Sequence, residues 1–165
     1  MIKAFEIVKQ NLPSARLVIA GDGHDRKQLE SYVRKHKIED VEFRGYISDK
    51  EKQTLLKKSG LFCSPAIYGE SFGIVLLEAM SAGVPLVAGD NPGYTSVLKD
   101  LGILSLVDPV NTNLFAQRLQ LFLTNRDLRK MMSAWGLKYV KQFDYKLIVS
   151  KYEEVYKHAI ERQKT

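Results

Sequence analysis

At 165 residues, 45% of them apolar and 27% charged, the chain has the composition of an ordinary soluble protein and enough apolar side chains for one well-cored domain. Lys and Arg number 25 against 19 Asp and Glu, a net charge of +6, which suits anionic partners such as nucleotide diphosphates, lipid surfaces or nucleic acid; a merely solvating surface explains it equally, because no basic run of five or six residues occurs. The single Cys63 excludes an internal disulfide and a Cys metal cluster, and no signal peptide or run of about 18 apolar residues is present, so a cytoplasmic domain is expected.

In chain order, Ile2, Phe5 and Val8 fall at helical spacing from Met1 to Gln10, closed by Asn11 and Pro13. Arg16 to Ala20 reads as a buried strand running into Gly21-Asp22-Gly23-His24, and Asp25 with Gln28 reads as a capping box for a helix to about Lys37. Val41 to Tyr46 is a second strand; Ser48-Asp49 cap a short helix through Lys58; Leu61 to Ser64 is a third strand and Pro85 to Ala88 a fourth. After the loop Gly89 to Gly93, a helical turn from Tyr94 to Lys99, a fifth strand over Ile103 to Val107 and three helices, Thr112 to Thr124, Arg126 to Gln142 and Tyr145 to about Arg162, complete the chain.

Strands alternating with helices imply an α/β fold, a doubly wound parallel sheet of Rossmann-like type with helices on both faces, here as one domain over residues 1–165. A chain opening in a helix lacks the first strand of such a fold, so it is expected to be a fragment. Open parallel sheets bind ligands outside the carboxyl ends of their strands, where Gly21-Asp22-Gly23, Tyr46-Ile47, Glu70 and Gly89-Asp90 all fall. Gly21 and Gly23 let backbone approach a phosphate or sugar, with Asp22 and His24 as weaker candidates for contact. A dinucleotide fingerprint needs a third Gly where Arg26 stands, which weakens an oxidoreductase reading.

The stretch from Ser64 to Pro85 carries the most chemistry. A loop holding Glu70 leads to a helix that opens at Ser71, an N-cap residue type, and stops at Gly83 before Pro85. That helix is almost wholly apolar, so its one charge, Glu78, needs a partner: hydrogen-bond donors such as a pair of ligand hydroxyls, or else an ion-pair partner or an exposed position. The backbone N–H groups of Ser71, Phe72, Gly73 and Ile74 lie at the positive end of the helix dipole, where a phosphate fits.

Glu70 and Glu78, separated by seven residues and set among Phe72-Gly73, Leu77-Glu78-Ala79-Met80, Gly83 and Pro85, resemble the pattern of the nucleotide-sugar half of the retaining glycosyltransferases of family 4, which have the two-domain GT-B fold. The resemblance implies that Glu78 binds the ribose hydroxyls, that Glu70 contacts the transferred sugar at the reacting centre, and that Phe72, Gly73 and Ile74 hold the diphosphate and sugar through main-chain N–H groups. It likewise implies that the strand end Phe43-Arg44-Gly45-Tyr46-Ile47 receives the base, with Tyr46 and Ile47 beside it, and that Gly21 to Gly23 line the cleft. Ala66 and the segment Gly89 to Tyr94 depart from the family's usual Ser and Gly-Gly with Pro-Glu.

The activity so implied is sugar transfer from a UDP- or GDP-sugar to a glycan or lipid, in cell-envelope polysaccharide or glycolipid synthesis, with no cofactor and no active-site metal; no Asp-x-Asp or His cluster occurs. The resemblance covers only a C-terminal half. The acceptor domain, and the Arg and Lys that face the diphosphate just before the first helix, have no counterpart, so the fragment is expected to bind its donor and not turn over. Its last helix is expected to cross back onto that missing N-terminal domain, and the basic residues Arg126, Arg129, Lys130, Lys138 and Lys141 suit peripheral contact with an anionic membrane on its cytoplasmic side, while solvated helix faces explain them equally well. A stand-alone nucleotide- or phosphate-binding module is the alternative. Nucleic-acid binding is disfavoured by the dispersal of basic residues.

Overall fold

The computed structural model describes residues 1–162. Eight helices, α1 (Ile2–Asn11), α2 (Arg26–Lys35), α3 (Asp49–Lys58), α4 (Ile74–Ser81), α5 (Pro92–Val97), α6 (Thr112–Thr124), α7 (Arg126–Tyr139) and α8 (Tyr145–Arg162), accompany five strands: β1 (Leu17–Ala20), β2 (Val41–Gly45), β3 (Phe62–Ser64), β4 (Leu86–Gly89) and β5 (Leu106–Val107). Among the described residues every strand-to-strand ladder is parallel, with one isolated antiparallel bridge, Gly21 to Gly45, at the ends of β1 and β2. β1 pairs with β2, and β3-β4-β5 form a second sheet, so the order is α/β with crossover helices as expected. Among the described residues, the second edges of β1 and β3 have no strand partner.

Local chemistry explains most element ends. α1 buries Ile2, Ala4, Phe5 and Val8 and stops ahead of Pro13, whose ring disfavours helical backbone at Leu12. α3 begins with a complete capping box: Ser48 N donates to Glu51 Oε2 at 2.9 Å, and Glu51 N donates to Ser48 Oγ. α5, α6 and α7 start from the side chains of Asn91, Asn111 and Asn125, each accepting from an amide three residues on.

Several boundaries differ from the sequence expectation: α5, expected over Tyr94 to Lys99, spans Pro92–Val97, because the Asn91 side chain caps it two residues earlier. No capping box forms at α2, because Asp25 is already helical (φ −81°, ψ −8°) and a side-chain cap needs an extended residue there. The helix expected from Ser71 begins at Ile74, since Gly73 holds a left-handed backbone (φ 92°) that cannot sit inside a helix. The fifth strand shrinks to two residues: Asp100–Ser105 is a 310 helix, against which the Trp135 ring of α7 packs at Gly102. The helix expected through Gln142 gives way to 310 geometry at Val140–Phe143.

Two hydrophobic layers cover the strands. One joins α1 and α6 to the strands through Phe5, Val8, Val87, Phe115 and Phe122. The other packs α4 and α5 through Leu76, Met80, Leu86, Tyr94, Val97 and Leu98. β4 lies between them and is buried at every residue, as an inner strand covered on both faces must be. β1 and β3 are only half-buried.

Candidate functional site

The carboxyl ends of β1, β2 and β3 open onto a cleft of about 410 Å³, walled on its far side by α3 and α4. Its volume lies within the range of small-molecule sites. A smaller hollow of about 230 Å³ among Glu6, Lys9, His36 and Glu39 contains none of the residues singled out from the sequence.

Of those residues, Gly21, Tyr46, Ile47, Glu70 and Glu78 line the cleft. Gly21 spends its N–H on the Gly45 carbonyl at 2.7 Å, joining the two strand ends, so it is not a phosphate donor in this arrangement. Tyr46 is exposed at the rim and Ile47 half-buried beneath it. Asp22 and Gly23 stand outside the lining: the Asp22 carboxylate accepts from Gly23 N at 2.8 Å and from Arg26 at 3.0 Å, closing the loop on itself. His24 is exposed beside Asp25.

Ser71, Phe72, Gly73 and Ile74 lie next to the cleft rather than in its wall. The Phe72 ring meets Phe143 edge-on, 5.8 Å between centroids, so its side chain anchors the loop to the 310 turn after α7. With α4 starting at Ile74, the amides lacking a helical acceptor are those of Gly73, Ile74 and Val75, shifted from the segment expected, and Val75 does reach the cleft. Leu76 N already donates to the Gly73 carbonyl.

Glu78 is 32% exposed and is not isolated. Lys52 of α3 donates to its Oε1 at 2.7 Å and approaches Asp49 at 3.1 Å. The hydrogen bond to Glu78, followed by that to Asp49, raises the Lys52 pKa, so the ammonium stays charged through the neutral range. The sequence reading passed over Lys52. A signal was available: it precedes Leu56, the one buried residue of α3, by four positions and so shares its inward face.

The main chain at Glu70 packs against a part of the chain that the sequence reading treated as a plain turn, since a side chain at Gly93 would collide with the Glu70 carbonyl. Tyr94, on α5, is fully buried, with its hydroxyl 2.5 Å from Ser64 Oγ. Burial is the main cause raising the Tyr94 pKa; Ser64 opposes the shift and Glu70 adds to it. Asn91, also buried, accepts from Tyr94 N at 3.0 Å and donates to the Ala66 carbonyl at 2.9 Å. Cys63 lies in the wall as a protonated thiol, its pKa pushed up to about 12 by burial. Two carboxylates and one ammonium thus share one concavity, with the positive end of a helix beside it. Among the described residues no three His, Cys, Asp or Glu side chains gather as a metal site.

Residues 1–138 match the family described as Glycosyl transferases group 1. The chain is 34% identical over 156 residues to a phosphatidyl-myo-inositol mannosyltransferase of Mycobacterium leprae, an alignment covering 94% of this chain and 41% of that protein. Among solved structures, the catalytic domain of the cholesterol-alpha-glucosyltransferase of Helicobacter pylori superposes with TM-score 0.75 at 27% identity, covering 86% of this chain and 87% of that one. A pneumococcal O-GlcNAc transferase solved in complex with UDP and GlcNAc superposes with TM-score 0.80 at 21% identity, covering 96% of this chain and 32% of that one, a likeness of fold. The chain spans about two fifths of the length of the curated mannosyltransferase it matches.

Proposed function

Because the chain belongs to the Glycosyl transferases group 1 family, we propose that it is the nucleotide-sugar-binding part of a retaining hexosyltransferase, with a mannosyl donor as first choice. The observation that carries the reading is the placement of Glu70 and Glu78 in one cleft beside the positive end of α4. On this reading the base enters at Tyr46 and Ile47, the ribose hydroxyls donate to Glu78, and the diphosphate lies toward Lys52 and the first amides of α4. Glu70 faces the transferred sugar. Negative charge growing on the leaving diphosphate is stabilised by donors already in place, and the acceptor attacks from the face the diphosphate leaves.

The mannosyl choice rests on the 34% identity to a phosphatidyl-myo-inositol mannosyltransferase, whose name also supports a lipid acceptor; a glycan acceptor and a role in cell-envelope synthesis belong to the proposal as well. The acceptor site belongs, in this proposal, to a further N-terminal domain of the whole protein, and the isolated chain binds donor without turnover. The exposed apolar side of α8 is a surface such a domain would cover. We place the protein on the cytoplasmic side, in peripheral contact with an anionic membrane through its basic last third; Arg129 is the weakest contributor there, since its guanidinium already donates to the carbonyls of Phe122 and Leu123. Salt-sensitive sedimentation with anionic vesicles tests that contact. No cofactor or active-site metal enters this reading.

Calorimetric titration with UDP, GDP and ADP and their sugar conjugates, alongside Glu78→Gln, tests the central claim. One nucleotide should bind in preference to the others, and the substitution should weaken it by about tenfold or more, the worth of a hydrogen bond to a charged group. Binding of none, or an unchanged affinity in the variant, rejects it.

A further inference from the structure

We propose that Tyr94 is the positioning residue of Glu70, its hydroxyl passing the constraint of Ser64 at the end of β3 to the carboxylate above the cleft. This rests on the reading that Glu70 faces the transferred sugar. The geometry begins with the ring. Tyr94 is wholly buried, and its hydroxyl meets Ser64 Oγ at 2.5 Å, while Ser64 and Glu70 both line the cleft.

The loop carrying Glu70 is laid against the turn that carries Tyr94. A side chain at Gly93 would collide with the Glu70 carbonyl, so the two backbones are in direct contact. A Cβ on Gly73 would lie 2.6 Å from the Tyr94 ring, so the segment from Glu70 to Gly73 folds over that ring. Asn91 fastens the near end of the same loop through the Ala66 carbonyl. The main chain that carries Glu70 is thus laid on the α5 turn and the Tyr94 ring.

Donor counting gives the bridge a direction. A carboxylate can only accept, and Ser and Tyr hydroxyls have one proton each. Every group is satisfied when Ser64 donates to Tyr94 and Tyr94 donates to Glu70. Burial is the main cause holding the proton on Tyr94; Ser64 opposes it and Glu70 adds to it, the sense this arrangement requires. A carboxylate so held reaches the sugar without first losing side-chain freedom, which is the benefit of a fixed contact group.

Two measurements test this. In protein labelled at tyrosine Cζ, the ligand-free titration midpoint of Tyr94 should fall in Glu70→Gln and rise in Ser64→Ala; a midpoint indifferent to Glu70→Gln overturns the bridge. In calorimetry, the readout is the ratio of affinities for a nucleotide-sugar and its bare nucleotide. Tyr94→Phe, which keeps the ring, should lower that ratio several-fold with bare-nucleotide affinity unchanged, and adding it to Glu70→Gln should cost nothing more. Equal loss for both ligands, additive losses, or an unchanged ratio overturns the positioning role. If the midpoint responds to Glu70→Gln but no nucleotide binds the unmodified protein, the transferase reading fails and the sugar-positioning role fails with it.

Discussion

Lys52 Nζ lies 2.7 Å from Glu78 Oε1 and so ties the middle of α3 to the middle of α4 along the wall of the cleft. Lys52 is about a third exposed, so the pair adds little to stability by itself. Its consequence is for ligand charge. Lys52→Met should leave the unfolding midpoint nearly unchanged, lower nucleotide diphosphate affinity by about three- to tenfold, and flatten its dependence on salt. Titration at low and high salt checks this. Tighter binding in the variant would show instead that Lys52 occupies Glu78 and competes with the ligand.

That pair also marks where the sequence stops being informative. α1, the Ser48 cap and α6 were legible because each is written within a few neighbouring residues, as apolar spacing or a cap three positions from its partner. That Glu70 and Glu78 meet in one cleft was legible through their setting. Lys52 meets Glu78 across 26 positions and Ser64 meets Tyr94 across 30, and no local pattern announces contacts of that range. The start of α4 was misread for a related reason: Ser71 is the better capping type, but the backbone turns at Gly73, where the Tyr94 ring leaves no room for a side chain.

Gly73 should therefore tolerate substitution poorly. It holds φ at 92°, and an added Cβ would press on Tyr94 at 2.6 Å. Gly73→Ala should cost about 1–3 kcal/mol, the range for strained backbone, and should lower nucleotide affinity as the α4 amides move. Urea unfolding reads the first quantity; a cost below about 0.5 kcal/mol would mean that the turn is not constrained as described.

Acid should reveal the α3 cap. Hydrogen bonds from the Ser48 side chain and then its backbone hold the Glu51 carboxyl below its ordinary value of 4.5. A lowered folded-state value means that the stabilisation is present above 4.5 and is lost as pH falls through the folded value. Glu51→Gln keeps a capping side chain without the titration. On acidification through that window, the unmodified protein should lose more stability than the variant; parallel losses would remove the cap from the pH dependence.

The last helix should be dispensable for folding. α8 buries no residue, and Tyr145, Tyr152, Val155, Tyr156 and Ile160 are all exposed along it. Its first turn is held by Asp144, which accepts from Lys146 N at 2.9 Å and, through its carbonyl, from Ile148 N at 3.1 Å. With so little area removed from water, apolar burial gives α8 almost nothing to lose, and a chain ending at Asp144 should unfold within about 1 kcal/mol of the original. The same deletion should reduce self-association in sedimentation, because a row of exposed aromatic and branched side chains is the kind of surface that finds a partner. A loss of several kcal/mol would mean that α8 folds back onto the domain in solution and covers its own apolar side.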